Sequence, residues 1–279
     1  MTMRRSRRLV AIYVPLIVAT VVLLFPFYWM LITSLKTNRE LIDLSGLPFW
    51  VFQPTLEHYR FLLGETSFLR WAFNTLTISL VATAISLACS ILAGYTLARL
   101  RFRGAGAIAA AIFVTYLVPQ TLLFLPLLEV VRQLGLTNTL WSMIVTYPTI
   151  LIPFATWLLM GYFRSIPREL EESALIDGAS RLRAMAQIVL PLAMPGILSA
   201  AIFAFTLSWN EFIYALVFTT STDIKTIPVG VVTELVKGDV YFWGALMAGA
   251  LLGSVPVALI YSFFVENYVS GLTAGAVKG

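Results

Sequence analysis

Few residues in this 279-residue chain have the chemistry of a catalyst. There is one histidine, His58, and one cysteine, Cys89. A lone histidine in a polar loop cannot assemble a Ser/His/Asp set, and no Cys/His cluster has metal-ligand spacing. Cys89 sits in an apolar run and reads as a small buried packing residue. Neither G-x-x-x-x-G-K-[ST] nor H-E-x-x-H occurs, so no nucleotide cradle or zinc protease site is encoded. The adjacent carboxylates Glu171 and Glu172 would point about 100° apart on a helix, which is wrong for a catalytic dyad. Polar residues inside apolar stretches are better candidates, because each is costly in lipid. Asn210 and Glu211 lie roughly 15 residues, or about 23 Å, into one such stretch, toward its outer end. Gln120 is mid-stretch beside Pro119, while Trp209 and Tyr147 carry rings that can stack on a sugar face. Gln120, Tyr147, Trp209, Asn210 and Glu211 therefore read as the lining of a polar path for a hydroxylated solute. The competing reading is interhelical hydrogen bonding and packing.

The elements that must position these residues are membrane helices. The chain is 59% hydrophobic and 12% charged, with a mean hydropathy of +0.87. Soluble domains run at about 45–50% apolar and about 25% charged. Lipid must solvate most of this surface, and the formal charge of +5 reports topology rather than nucleic-acid binding. Six stretches are long and apolar enough to span: approximately Leu9–Ser34, Trp71–Ala98, Gly106–Val131, Leu140–Tyr162, Pro195–Phe218 and Trp243–Tyr268. The expected fold class is an all-α integral membrane protein with about six transmembrane helices, kinked near their prolines. Residues 1–8 form a basic N-terminus, 9–268 the six-helix domain and 269–279 a C-terminal tail. The first apolar run is too long for a signal peptide and reads as a retained span. Arginines cluster at 4–8, 99–103, 164–168 and 181–183, which puts both termini and the polar block 163–194 in the cytoplasm.

That polar block is the most distinctive segment. Pro167 suits a helix first turn, Glu169, Glu171 and Glu172 suit its positive end, and Gly178 suits its stop. A second short helix is expected from about Arg181 to Leu190, ending at Pro191. Two helices with a glycine corner would lie against the membrane. Small residues Ser173, Ala174, Gly178 and Ala179, beside the acceptors Glu172 and Asp177, permit close approach by a partner's backbone. A solvated loop with no partner is the alternative on physics alone.

The spacing Glu172-Ser173-Ala174, Asp177-Gly178-Ala179 and Ile188-x-Leu190-Pro191 resembles the EAA loop of ABC importer permeases, with Ser173 in place of the first alanine. Pro26–Lys36, Pro54–Leu63, Ala93–Phe102, Trp209–Phe212, Thr226–Gly230 and Gly271–Gly279 look like segments of the maltose-type carbohydrate branch of that family. The resemblance covers nearly the whole chain. It implies a coupling helix, with Glu171, Glu172, Ser173, Ala174, Asp177, Gly178 and Ala179 seated on a separate ATPase subunit. It implies that the loop 219–242, through Thr226, Pro228 and Gly230, contacts an extracytoplasmic solute-binding protein. The implied partners are a second homologous permease, two ATPases, the binding protein, a sugar-like substrate and the bilayer, with no nucleic acid. No cofactor is expected on this chain, since ATP and Mg would be bound by the ATPase subunits. The implied location is a bacterial or archaeal cytoplasmic (inner) membrane. The terminal segment Gly271–Gly279 is also expected to lie against the ATPase.

The function that follows is permease subunit of a binding-protein-dependent importer, working by alternating access and itself no enzyme. The alternative is an ion-coupled secondary transporter of a small polar solute. That class needs ionisable groups near the bilayer middle and usually inverted repeats. Mid-span charges are almost absent here, and no repeat is evident.

Overall fold

The computed structural model describes residues 2–43, 46–238 and 240–273, with side chains for those of them between 11 and 264. The polypeptide runs as α1 (Thr2–Leu35), α2 (Asn38–Ile42), α3 (Glu57–Gly64), α4 (Phe68–Arg99), α5 (Ala105–Leu117) and α6 (Gln120–Gln133). It continues as α7 (Leu140–Thr146), α8 (Pro148–Ser165), α9 (Arg168–Ile176), α10 (Arg181–Ala184), a π-helical turn (Met185–Val189), α11 (Leu190–Leu192) and α12 (Met194–Trp209). Then come α13 (Ile213–Phe218), α14 (Ile227–Leu235), a small antiparallel hairpin of β1 (Val236–Lys237) and β2 (Val240–Tyr241), and α15 (Trp243–Thr273). The fold is helical, as expected, with that one hairpin added. The terminal segment Gly271–Gly279, expected to lie against the ATPase, falls largely outside the described residues.

Four helices are long and apolar enough to cross a membrane: Ala11–Leu35, Phe68–Arg99, Leu140–Ser165 and Trp243–Phe264. Two bent pairs among the described residues pass the same test together, and the count rises to six if each is one span. Ala105–Leu117 and Gln120–Gln133 meet at 98°, and Arg181–Leu192 and Met194–Trp209 meet at 77°. The third span is therefore not the continuous helix expected from the sequence, and the fifth, Pro195–Phe218, is interrupted between the end of α12 at Trp209 and the start of α13 at Ile213. Pro119 explains the first break. It lacks an N–H and forces Val118 into an extended conformation, with ψ of 125°. The second short helix also does not stop at Pro191. A π turn precedes that proline, and the backbone carries on to Ala193. A π turn is a common way to absorb a missing i→i−4 donor.

The chain forms two compact units, each with its own packing. The first comprises residues up to Leu69 together with Gly230–Val255. His58, placed in a polar loop by sequence reading, is instead buried on α3, where its Nε2–H donates to the Lys36 carbonyl at 2.8 Å. Its ring lies flat on α15 at Gly244, where an added Cβ would sit 2.1 Å from Nε2. Lys36 turns its Nζ onto the Pro48 carbonyl at 2.7 Å, and Glu40 accepts from the Phe52 amide at 3.0 Å. The long segment after α1 is thus folded by its own polar side chains.

The second unit comprises Arg70–Val229 and the chain from Pro256. Its core is α4, α8 and α12. Gly94 of α4 abuts α8, with Leu159 Cβ only 3.2 Å from where its own Cβ would stand. The Ser90 hydroxyl donates across the same seam to the Ile152 carbonyl at 3.3 Å. Small residues here let helices approach closely, the packing device of membrane proteins. Cys89, expected to be buried, is exposed, because the buried face of α4 runs through Ser86 and Ser90 instead. Tyr162 is stacked over α12 at Gly196, whose missing Cβ would stand 2.3 Å from the ring. Gly196→Val should displace that ring and destabilise the fold by about 1–3 kcal/mol, the range for overpacking. A lower thermal midpoint in detergent checks this, and an unchanged midpoint contradicts it.

Candidate functional site

The polar block between α8 and α12 folds as two helices around a glycine corner. α9 begins after Pro167 and ends where the Asp177 amide bonds back to the Ser173 carbonyl at 3.0 Å. Gly178 follows at φ 89°, a left-handed conformation that favours glycine, and the Ala179 amide closes the turn on the Ala174 carbonyl at 2.9 Å. Ser180 then caps the next helix, accepting from the Arg183 amide at 3.3 Å.

The two neighbouring glutamates have different tasks. Glu172 is exposed, together with Ser173, Asp177 and Gly178, while Ala174 and Ala179 are half-buried beside them. Glu171, grouped by sequence reading with these surface positions, is instead turned inward. Its Oε1 accepts from the Tyr95 hydroxyl at 2.5 Å, and its Oε2 lies 3.6 Å from Arg99 Nε. Both charged side chains are almost wholly buried, at 2% exposed for Arg99 and 9% for Glu171. The reason is the helical turn of about 100° per residue, which sends consecutive residues to different faces. Arg168, at the start of α9, also donates to the Ala98 carbonyl at 3.2 Å. The outward face carries two large apolar side chains in the open, Ile176 at 86% and Leu182 at 70% exposed.

The path candidates converge at the break after α12. Asn210 folds its Nδ2 back to the Thr206 carbonyl at 2.9 Å. Glu211 caps α13, its oxygens accepting from the Tyr214 amide at 2.9 Å and the Ala215 amide at 3.1 Å. Gln120 stands at the start of α6, just past the Pro119 break. Tyr147 is buried at the α7–α8 joint, its hydroxyl near Glu211 but without a partner in good hydrogen-bond geometry. Gln120, Tyr147, Asn210 and Glu211 line one cavity of about 270 Å³, with no lysine or arginine in its wall. Trp209 is the exception. It is buried and stacked on Phe205, with centroids 5.5 Å apart, away from that cavity wall, so it packs.

The three positions picked in the loop 219–242 are mostly inaccessible. Thr226 and Gly230 are buried, and Pro228 is half-buried in the first turn of α14. Ile227 and Val229 are core residues, which pulls the whole turn inward. Thr220, Ser221, Asp223 and Val232 are exposed in that loop, and so are the hairpin and its exit, where Tyr241 and Trp243 stack at 5.1 Å. Sequence reading also missed Asn138. Its backbone is left-handed, at φ 57°, and its side chain accepts from the Thr220 and Ser221 amides while donating to Ser221 Oγ. Tyr95 and Arg99 were missed as partners too, although their i,i+4 spacing at the end of an apolar run was the available signal.

Interrupted helices around a cavity, with the short polar helix α9 between apolar ones, are features of membrane transport subunits. Residues 86–273 match the family of binding-protein-dependent transport system inner membrane components. The chain is 38% identical over 257 residues to the sulfoquinovosyl glycerol transport system permease protein SmoH of Agrobacterium fabrum, covering 92% of this chain and 89% of that protein. It is 34% identical to the trehalose/maltose transport system permease protein MalG of Thermococcus litoralis, covering 94% of each. Its fold matches a chain of a bacterial ABC transporter that imports the acidic polysaccharide alginate, with a TM-score of 0.79 at 19% identity over 96% of this chain and 98% of that one. The chain belongs to the binding-protein-dependent transport system inner membrane component family, and it is a permease subunit of that class.

Glu211→Ala leaves two amides at the start of α13 without their acceptor, which should cost about 0.5–2 kcal/mol locally. Amide hydrogen exchange at Tyr214 and Ala215 should rise, with Asn138 as an internal control. Unchanged protection would contradict the capping role.

Proposed function

We propose that this chain forms, with a second homologous permease, the path for a neutral sugar-like solute, driven by two separate ATPase subunits. The observation that carries it is the outward face of α9 and its corner. Glu172, Asp177 and Gly178 stand exposed beside the open apolar side chains Ile176 and Leu182. Such a surface suits a groove in a water-soluble partner. ATP and Mg belong on that partner, and this chain does no catalysis. Both termini and α9 lie in the cytoplasm, in keeping with the arginine clusters around residues 101, 164 and 181. The curated relatives named above are permeases for carbohydrate-containing solutes. The cavity wall adds polar acceptors and donors for hydroxyls but no cation for a sulfonate or phosphate.

At the other end, the aromatic hairpin around Tyr241 and Trp243 is the contact for the solute-binding protein, replacing Thr226, Pro228 and Gly230 in that role. Stacked rings on an exposed hairpin suit a sugar-loaded cleft. The transport cycle is alternating access. ATP binding favours one packing of the spans because the closed ATPase pair binds that packing better.

Gly178→Asp tests the docking surface. An added Cβ at Gly178 meets nothing within 4 Å, so the chain itself has room. The obstacles are the left-handed backbone and the partner's approach. The variant should insert normally and lose copurification with the ATPase subunits, whereas wild-type uptake would overturn the reading. Vesicles holding this chain without ATPases should show no uptake under a proton or sodium gradient.

A further inference from the structure

Glu171 is buried, charged and turned away from the surface that a partner would touch. For stability alone an apolar group would serve as well, because desolvation offsets most of the attraction in a buried pair. What the pair adds is a fixed registry between two helices. Tyr95 and Arg99 lie one turn apart on the last turns of α4: the Tyr95 hydroxyl hydrogen-bonds one oxygen of Glu171, and Arg99 Nε forms a buried ion pair with the other at 3.6 Å. Arg168, one turn back on α9, holds the Ala98 carbonyl of the same α4 end. Two attachments one turn apart stop α9 from pivoting on α4.

The far end of α4 is held in the same manner. Trp71 Nε1 donates to the Thr222 carbonyl at 2.9 Å, and Asn74 Nδ2 donates to the carbonyls of Asp223 at 2.7 Å and Lys225 at 2.9 Å. The Thr75 hydroxyl accepts from the Ile227 amide at 2.8 Å. Between these clamps, residues 74 to 99 span about 37 Å at 1.5 Å per residue. α4 is 32 residues long with no internal proline. The other candidate spans are softer. α1 contains Pro15 and Pro26, α8 Pro153 and α15 Pro256, and the remaining two are bent by 98° and 77°.

We propose that α4 is the transmission rod of this subunit: Tyr95 and Arg99 grip α9 through Glu171 at one end, and Trp71, Asn74 and Thr75 grip the segment 222–227 at the other. This rests on the reading that α9 docks on the ATPase. A push on the outer face of α9 then reaches the segment before α14 without passing through a flexible joint. Tyr95, Arg99 and Asn74 are positioning residues in this scheme.

The test uses the whole transporter in lipid vesicles, with both permeases, ATPases and binding protein. Glu171→Ala and Asn74→Ala should each keep the ATPase subunits bound and basal hydrolysis near wild type. Each should lower binding-protein-stimulated hydrolysis and uptake together by about tenfold, within the usual range of coupling strengths. The double variant should be no worse than the more severe single, since both cut one rod. Glu171→Gln, which keeps an acceptor for Tyr95, should fall between. Additive losses, or wild-type stimulation in Asn74→Ala, overturn the proposal. So does loss of the ATPases from Glu171→Ala, which would make Glu171 a docking support. If Glu171→Ala fails to insert, Asn74→Ala alone decides by its ratio of stimulated to basal hydrolysis. If instead Gly178→Asp keeps its ATPases, the docking reading fails, independently of these ratios.

Discussion

Where lipid is the solvent, each backbone N–H and C=O freed by a helix break must find a partner inside the protein. This constraint shapes three interruptions among the described residues. After α12, Asn210 returns to the Thr206 carbonyl and Glu211 takes the first amides of α13. Before α14, Trp71, Asn74 and Thr75 take the carbonyls and the amide of the segment 222–227. At residues 138 to 221, one asparagine side chain takes two amides and a hydroxyl. The polar residues that look functional in the sequence are first of all the groups that make broken helices tolerable. Two of these repairing side chains, Asn210 and Glu211, also form part of the cavity wall.

The polar block is governed by the same physics with the opposite outcome. Outside the spans, α9 can leave one face to water and turn the other onto α4. Glu171 and Glu172 divide those faces between them. The buried glutamate fixes where the helix sits, and the exposed one remains for a partner. Gly178 then reverses the chain at φ 89° and sends it back toward the spans. The outward face built this way is tied to the helix behind it, because the inner side of α9 is already attached to the end of α4.

Much of this was legible in the residues, for definite reasons. The corner at Gly178 was readable because proline, acidic residues and glycine each have a preferred place on a helix. The helical membrane fold was readable from apolar run length, which matches four unbroken candidate spans, or six if each bent pair is one span. The breaks were less so. Pro119 announced a kink but not a bend of 98°, since bend size depends on what the two halves pack against. The direction of Glu171 needed the phase of α9 relative to α4, which no local pattern carries. The burial of Thr226 and Gly230 depended on Ile227 and Val229 drawing α14 into the core, and the missed role of Asn138 on contacts more than 80 residues away. His58 was misplaced for a similar reason, because its hydrogen-bond partner is the Lys36 carbonyl and its ring packs on Gly244, both distant in sequence.

The central claim is that α9 and its corner face the cytoplasm and are covered there by an ATPase. The direct measurement is accessibility of Ile176→Cys, in a Cys89→Ser background because Cys89 is exposed. A membrane-impermeant maleimide should label the variant in inside-out vesicles stripped of ATPase. It should fail to label right-side-out vesicles, and labelling should fall when the ATPase subunits are restored. Labelling from the outer face, or equal labelling with and without the ATPases, would contradict the account.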